Sequence, residues 1–258
     1  MTFEPVSKLD GHVAVITGGK GAIGWATAKR LAALGARIVS IDRSEPEKVQ
    51  ALLDTLPKVA SGPHFALTAS ITDTAALNAA AEAVKQRAGR CDILVNSAGS
   101  AFRCPAEDFP EDKLDFILNL NLKGTYLAGQ VFGNIMLKQQ KGSIINIASI
   151  GGFNAYPLAS AYLASKGGVV QLTRSFALEW GSRGVRVNGI GPTLMDSPLT
   201  KKAATTTSVT ADFIKGRMLR DRLGLPRELL GAAIFLGSDA SLLVNGHTVM
   251  CDDGYLIA

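Results

Sequence analysis

The sequence predicts an α/β fold in which helices cover both faces of a doubly wound parallel sheet. Short apolar runs, which are typical of buried strands, alternate with alanine-rich segments of helical character along nearly the whole chain. Such alternation indicates parallel strands that are connected by helices. The chain has 258 residues, of which 47% are hydrophobic, and it contains no solenoid repeat and no low-complexity linker. We therefore expect one domain over residues 1–258.

The expected strands and helices follow one another in a regular order. Apolar runs that end at a glycine or a polar residue define the strands, which cover residues 12–17, 36–41, 64–68, 92–95, 143–148, 185–190 and 248–251. Helical spacing and end signals such as Gly35 and Asp73 define the helices, which cover residues 25–34, 47–56, 73–88, 112–138, 159–180 and 227–237. Residues 193–215 are polar and rich in threonine, and we expect them to form a substrate flap.

The first strand leads into a glycine-rich turn that suits a dinucleotide. Gly19-x-Gly21-x-x-Gly24 opens the first helix, and Asp42 ends the next strand eighteen residues after Gly24. Glycines let the backbone approach a pyrophosphate, and the helix N-terminus supplies unpaired N–H groups. An acid at the end of the second strand accepts hydrogen bonds from an adenosine ribose. The combination predicts a nucleotide site in a Rossmann-type fold, with a tight turn plus a surface acid as the alternative.

A tyrosine and a lysine at helical spacing are candidates for proton transfer. Tyr162 and Lys166 are four residues apart in an expected helix and therefore share a face. A free phenol titrates near pH ~10, and a nearby ammonium lowers that pKa. The pair can therefore act as a general acid/base on an alcohol or a carbonyl group, and Ser149 can donate a hydrogen bond to the reacting oxygen. Alone, this spacing also fits an ordinary surface helix.

These candidates share one position relative to the strands. The glycine-rich turn, Asp42, residues 96–99, Ser149 and Pro192 each follow an expected strand directly. Ligands of parallel sheets bind beyond the carboxyl ends of the strands. The sequence therefore predicts a single active site at that edge of the sheet.

Six sequence elements, in this order, resemble those of the short-chain dehydrogenase/reductase family. They are T-G-x-x-x-x-I-G at Thr17–Gly24, N-S-A-G at Asn96–Gly99, N-L-K-G at Asn121–Gly124, Ser149, Y-x-x-x-K at Tyr162–Lys166, and R-V-N-G-I-G-P at Arg186–Pro192. The resemblance covers nearly the whole chain. The loop A-G-S-A-F-R-C-P and the C-terminal region are similar to sugar-acid members such as gluconate 5-dehydrogenase.

The resemblance implies roles for individual residues. Tyr162 would be the general acid/base, Lys166 would lower its pKa and hold the nicotinamide ribose, and Ser149 would polarise the substrate oxygen. Asn121 would carry a water that links Lys166 to solvent. The implied cofactor-binding residues are Gly18, Lys20, Gly21, Ala22, Ile23, Gly24, Asp42, Arg43, Ser70, Ile71, Asn96, Ala98, Gly99, Tyr162, Lys166, Pro192 and Leu194. Ala22 stands where the family usually has glycine, and Ser70 where it often has an aspartate.

The implied substrate residues are Arg103, Phe153, Asn154 and Tyr156. Arg103 suits a carboxylate, which an arginine can bind through two parallel hydrogen bonds, although an ordinary surface arginine is the alternative. The expected reaction is hydride transfer between a nicotinamide cofactor and a secondary alcohol or ketone of a polyol, sugar or sugar acid. A 3-oxoacyl-carrier-protein-type reductase and a non-catalytic dinucleotide-sensing protein are the alternatives.

The choice of cofactor depends on opposing charges. The carboxylate of Asp42 can accept hydrogen bonds from both ribose hydroxyls of NAD and would repel the 2′-phosphate of NADP. Lys20 and Arg43 are cations that favour that phosphate, but exposed ion pairs contribute only ~0–1 kcal/mol. We therefore expect NAD to be preferred over NADP.

Composition and charge limit the other partners. The net charge is +5 but the basic residues are scattered, so we expect no nucleic acid as a partner. The three cysteines have neither disulfide nor zinc spacing, and we expect no metal site. No apolar run approaches the ~18 residues of a membrane span, and residues 1–10 lack the apolar core of a signal peptide. We expect a cytoplasmic protein, and the family resemblance implies a homotetramer.

Overall fold

A computed structural model describes residues 8–201 and 208–258 and places seven parallel strands in one sheet. They are β1 Val13–Thr17, β2 Arg37–Asp42, β3 Phe65–Thr68, β4 Ile93–Asn96, β5 Gly142–Ile147, β6 Val185–Pro192 and β7 Thr248–Cys251. The strand order is β3-β2-β1-β4-β5-β6-β7, and it reverses direction between β1 and β4. Such a reversal creates the crevice in which open α/β sheets bind ligands. The predicted fold class is confirmed.

Helices cover both faces of this sheet. They are α1 Ala22–Ala33, α2 Pro46–Leu53, α3 Thr74–Ala88, α4 Glu111–Leu118, α5 Gly124–Gln139, α6 Ser160–Trp180, α7 Val209–Lys215 and α8 Leu230–Gly237. Alternate side chains of β1 enter different cores, because successive residues of a strand face opposite ways. Val13 and Val15 pack with residues of α3, α5 and α6, while Ala14 and Ile16 pack with α1 and α8. Both faces are therefore apolar and buried, as the continuous apolar strands predict.

The long helix expected over residues 112–138 is interrupted. Asn119–Lys123 forms a π-helical turn between α4 and α5, closed by a hydrogen bond from the Gly124 N–H to the Asn119 carbonyl. A Cβ on Gly124 would lie 2.6 Å from Cδ1 of Ile71, so the turn can pack this closely only with glycine. Such turns often occur at functional sites. This one carries Asn121, which is fully buried.

The segment expected to form a flap has partly regular structure. Met195 pairs with Gly224 in an isolated bridge, and α7 places Ile214, 1% exposed, in a small core with Tyr156 and Tyr255. Residues 202–207 of the expected flap lie outside the described residues. Within the described ranges, no helix combines the length and apolar character needed to cross a membrane.

Candidate active site

The glycine-rich turn after β1 leaves no room for side chains. Gly18 has a φ of +65°, and a Cβ there would lie 2.8 Å from Cα of Ala98. A Cβ on Gly24 would collide with the Gly18 carbonyl and lie 2.7 Å from Oγ of Ser97. The N-terminus of α1 follows Gly21 and has no side-chain cap. Its free N–H groups and the bare backbone in front of it fit the pyrophosphate of a nicotinamide dinucleotide.

A groove beside this turn continues towards the end of β2. Its lining consists of Gly18, Gly21, Ile41, Asp42, Arg43, Ala69, Ile71, Ser97, Ala98, Gly99 and Leu120. The Asp42 carboxylate is held in place, since one oxygen accepts hydrogen bonds from the N–H and hydroxyl of Ser44, at 3.0 and 2.9 Å. The other oxygen accepts the Lys20 N–H at 3.4 Å. The groove therefore presents a fixed carboxylate at the position where the sequence predicts the adenosine ribose.

A second cavity lies beyond the ends of β4, β5 and β6. It brings together the predicted residues Ile23, Gly99, Arg103, Ser149, Tyr156, Tyr162, Lys166, Pro192 and Leu194. Nζ of Lys166 donates to the Ile147 carbonyl at 2.6 Å and lies 5.8 Å from the ring centroid of Tyr162. Oγ of Ser149, at the end of β5, accepts the Gly151 N–H at 3.0 Å. The structure thus places the proposed proton-transfer groups in one cavity.

Burial shifts the pKa values of Tyr162 and Lys166 in opposite directions. Desolvation raises the pKa of Tyr162 above the ordinary value of a phenol, and a hydrogen bond with Ser149 and the positive charge of Arg103 offset only part of that rise. Burial lowers the pKa of Lys166 to about 8. Lys166 is therefore charged at neutral pH but close to its titration range.

The guanidinium of Arg103 lies over two aromatic rings of this cavity. Its Cζ is 5.6 Å from the ring centroid of Tyr156 and 5.5 Å from that of Tyr162. Nε and Nη1 are buried and have no hydrogen-bond partner among the described residues. Unpaired buried donors on a charged group are costly, so this arrangement favours an anion in the cavity. In the described part of the lining, Arg103 and Lys166 are the charged side chains and no carboxylate is present.

Known proteins match the chain over almost its full length. A family model described as enoyl-(acyl carrier protein) reductase matches residues 18–256. D-threitol dehydrogenase of Mycolicibacterium smegmatis is 41% identical over 97% of this chain and 95% of its own. The 2-dehydro-3-deoxy-D-gluconate 5-dehydrogenase of Bacillus subtilis is 39% identical over 96% of both chains. The crystal structure of a gluconate 5-dehydrogenase from Burkholderia cenocepacia, in complex with NADP and tartrate, has 34% identity and a TM-score of 0.89 over 98% of both chains.

The chain belongs to the short-chain dehydrogenase/reductase family. It is an oxidoreductase that uses a nicotinamide cofactor and acts on alcohol groups, and the predicted class of enzyme is confirmed. The structure also shows where the residues with implied roles lie.

Asn121 uses its side chain to join two parts of the site. Its Oδ1 accepts the Ser100 N–H at 2.9 Å, and its Nδ2 donates to the Ser100 carbonyl at 2.9 Å and to Oγ of Ser165 at 3.0 Å. The Ser165 hydroxyl in turn donates to the Tyr162 carbonyl at 2.7 Å. The loop after β4 is thereby fixed to α6. Because the side chain is engaged, the water predicted at Asn121 would need its backbone carbonyl, which accepts the Thr125 hydroxyl at 2.6 Å, and this role stays a prediction.

Asn96 and Ser70 do not line either cavity. Nδ2 of Asn96 donates to Oδ1 of Asn146 at 3.0 Å beneath the site, so the side chain ties β4 to β5. Oγ of Ser70 bonds to Oγ1 of Thr72 at 2.8 Å instead. Ser97 lines both cavities, although we did not predict it. The alternation of side chains at the end of a strand is the signal that could have found it.

Phe153 and Asn154 were expected at the substrate but face solvent. Phe153 is 42% exposed, and Oδ1 of Asn154 accepts the neighbouring Ala155 N–H at 2.8 Å. The 3₁₀ turn Ile150–Gly152 carries this stretch outwards before Tyr156 returns to the cavity. Lining residues that the sequence did not reveal include Ser100, Ala101, Ser197, Leu199, Thr200, Thr210, Ala211 and Ile214.

Proposed function

We propose that this enzyme oxidises the secondary alcohol of a sugar acid, or reduces the corresponding ketone, with NAD as its preferred cofactor. The charge of the cavity carries the proposal: two cations, one of them the unpaired Arg103, face no carboxylate among the described residues. The relatives named above include one that is named for a neutral polyol and one that is named for a sugar acid. The unpaired arginine favours the acid, because a carboxylate can accept both free donors.

The residues of the cavity have complementary roles in this reaction. The nicotinamide cofactor, when bound, accepts the hydride from the alcohol carbon or returns it to the ketone. Ser149 donates a hydrogen bond to the reacting oxygen, and Tyr162 takes the proton of the alcohol in one direction and gives it back in the other. Arg103 holds the carboxylate at the far end of the substrate. Lys166 keeps positive charge near the phenol, which favours its ionised form.

The segment over residues 193–215 acts as a flap in this proposal. Leu194, Ser197 and Thr210 line the cavity. The Thr210 hydroxyl donates to the Pro157 carbonyl at 2.9 Å, so α7 is fastened to the loop that carries Tyr156. A segment that contacts both the substrate loop and the cavity can exclude water from the reaction.

The preference for NAD rests on Asp42. Its carboxylate is fixed in the groove by Ser44, whereas the side chains of Lys20 and Arg43 are exposed. A 2′-phosphate beside this carboxylate would bring like charges together, and exposed cations offset only a small part of that cost.

The cellular setting and the assembly are part of the same proposal. Cys91, Cys104 and Cys251 are all unpaired, as is usual for proteins of the reducing cytoplasm. A homotetramer would cover apolar helix surfaces that the single chain leaves exposed.

Replacing Arg103 tests the substrate class. We expect Arg103→Ala to raise the Michaelis constant for a sugar acid by about 10- to 100-fold, since hydrogen bonds to charged groups contribute roughly 1.5–3 kcal/mol. The Michaelis constant for a neutral polyol should change much less. Arg183→Ala is the matched control, because Arg183 is exposed and precedes β6, at the opposite edge of the sheet.

The assay uses a panel of polyols, sugar acids and acyl thioesters, each with NAD and with NADP. Equal effects of Arg103→Ala on the acid and the polyol would contradict the proposed role of Arg103. A clear preference of the wild-type enzyme for an acyl thioester would instead favour the carrier-protein reductase.

A further inference from the structure

Positive charge reaches Tyr162 from two different segments. Lys166 lies one turn along α6, and its ammonium donates to the Ile147 carbonyl at 2.6 Å. Arg103 belongs to the loop after β4, and its guanidinium lies 5.5 Å from the Tyr162 ring centroid, slightly closer than the 5.8 Å of the Lys166 ammonium. The two cations differ in their hydrogen-bond partners. Lys166 has a hydrogen-bond acceptor, whereas Nε and Nη1 of Arg103 have none among the described residues.

The other groups that face Tyr162 do not neutralise Arg103. The end of β5 contributes the Ser149 hydroxyl, and the following loop contributes the phenol of Tyr156, whose own pKa is raised by burial. The C-terminal Tyr255 lies in the same small core as Tyr156. The described residues of α7 and its flanking segment bring serine, threonine and apolar side chains to the cavity. The field of Arg103 on the phenol is therefore uncompensated within the described structure.

We propose that Arg103 is a second cation of the acid/base site, which favours the ionised form of Tyr162 until a substrate carboxylate pairs with it. The first half of this inference concerns the free enzyme. The second half rests on the proposed function, since it needs an anionic substrate at Arg103. In the free enzyme the step is the loss of one proton from the phenol to solvent, and no other bond changes. Substrate charge would thus adjust the strength of the base that acts on the same substrate.

A titration of the free enzyme tests the first half without substrate or cofactor. The ultraviolet absorbance of tyrosinate is followed against pH in wild type and in Tyr162→Phe, and their difference isolates Tyr162. The same difference is measured between Arg103→Met and the double variant Arg103→Met, Tyr162→Phe. We expect Arg103→Met to raise the pKa of Tyr162 by about one unit or more, because an opposite charge within ~4–6 Å typically lowers a pKa by ~1–3 units.

Two further variants at Arg103 separate the effect of its charge on the pKa of Tyr162 from the effect of a changed structure. Arg103→Lys keeps the charge and should keep the wild-type pKa of Tyr162, while Arg103→Gln removes the charge but keeps a polar side chain and should behave as Arg103→Met does. Arg183→Met loses a charge away from the cavity and should leave the pKa unchanged. Circular dichroism identifies any variant that does not fold. A pKa of Tyr162 that is the same in wild type, Arg103→Met and Arg103→Gln would overturn the inference.

The second half is tested by the pH dependence of kcat, which reports the enzyme–substrate complex. In wild type, the pH at which kcat for oxidation is half-maximal should be higher with a sugar acid than with a neutral polyol, because the carboxylate neutralises Arg103. The same value for both substrates would overturn this half. If Arg103→Ala raises the Michaelis constants for acid and polyol equally while Arg103→Met still raises the pKa of Tyr162, the proposed function fails and the electrostatic role of Arg103 stands. If Arg103→Ala instead weakens binding of the acid much more than that of the polyol, while Arg103→Met leaves the pKa of Tyr162 unchanged, the proposed function stands and this inference fails.

Discussion

The phenol of Tyr162 lies near the start of α6 in the same cavity as Ser149, and Lys166 follows one turn later. Tyr162→Phe keeps the ring and removes the hydroxyl that carries the transferable proton. We expect turnover to fall by roughly 10²–10⁴-fold, which is the usual contribution of general acid/base catalysis. Binding of NAD should be nearly unchanged, as measured by quenching of tryptophan fluorescence. A variant that keeps more than about a tenth of the wild-type rate would contradict the assignment to Tyr162.

Asp42 is the residue that we expect to determine the preference for NAD over NADP. Asp42→Ala removes the fixed carboxylate from the end of β2 and leaves the exposed Lys20 and Arg43 in place. We expect the ratio of kcat/KM for NAD to that for NADP to fall by about tenfold or more, since close like charges and a lost charged hydrogen bond together exceed ~1.4 kcal/mol. Arg43→Ala is the control and should change the ratio in the opposite direction. Wild-type enzyme that is at least as efficient with NADP would refute the role of Asp42.

Individual side chains were predictable where a strand or a helix fixes their direction. Tyr162 and Lys166 lie in one cavity because α6 places them one turn apart, as the spacing of four predicts. Phe153 and Tyr156 follow the end of β5 by only a few residues, yet one faces solvent and the other lines the cavity. The 3₁₀ turn Ile150–Gly152 precedes both residues and packs against α6, where a Cβ on Gly152 would lie 2.7 Å from Cγ2 of Val170, and local spacing does not reveal such a contact. The contacts of Arg103 with the rings of Tyr156 and Tyr162 also join segments more than fifty residues apart.

At the scale of elements, the strands were predicted to within one or two residues because each consists largely of apolar residues. The break between α4 and α5 was not, since both flanks have ordinary helical spacing. At this turn Gly124 packs against Ile71, a contact between segments more than fifty residues apart that local spacing does not reveal. The flap was predicted as a polar insertion, but Ile214 on α7 is buried, so part of the segment belongs to the core.

The turn between β1 and α1 offers a test at this scale. Gly24→Ala would place a methyl group against the Gly18 carbonyl and close to Ser97. We expect it to lower stability by about 1–3 kcal/mol, the usual cost of overpacking, and to weaken NAD binding strongly. Thermal unfolding and calorimetric titration with NAD measure the two effects.

Gly231→Ala is the matched control for that test. Gly231 is an exposed glycine of α8, and a Cβ there has open space around it. The change should raise stability by up to about 1 kcal/mol, because alanine favours a helix more than glycine does. Its NAD affinity should remain that of wild type. Equal NAD affinity for both alanine variants would show that close packing at Gly24 is not needed for the cofactor.

For the whole molecule, two groups of exposed apolar side chains lie on different elements, while others such as Leu219 stand apart from both. One lies on the helices α4 to α6 and includes Phe116, Tyr126 and Leu178, of which Leu178 is 85% exposed. The other precedes β7 and includes Leu242 and Leu243, which are 66% and 99% exposed. Contiguous patches of such side chains are typical of interaction surfaces. If each group forms a self-complementary surface, the two together would generate a tetramer with 222 symmetry, the state that family resemblance implies, and this assembly stays a prediction.

Light scattering coupled to size-exclusion chromatography tests this assembly. We expect a mass of about four times the 27.0 kDa of the chain at micromolar concentration, and about half of that for Leu178→Glu, because one of the two interfaces would then bury an unpaired charge. Leu219→Glu is the control, since Leu219 is also exposed, at 69%, but lies outside both groups and should leave the mass unchanged. A wild-type monomer would contradict the tetramer, and a tetramer of Leu178→Glu would show that the surface on α4 to α6 is not an interface.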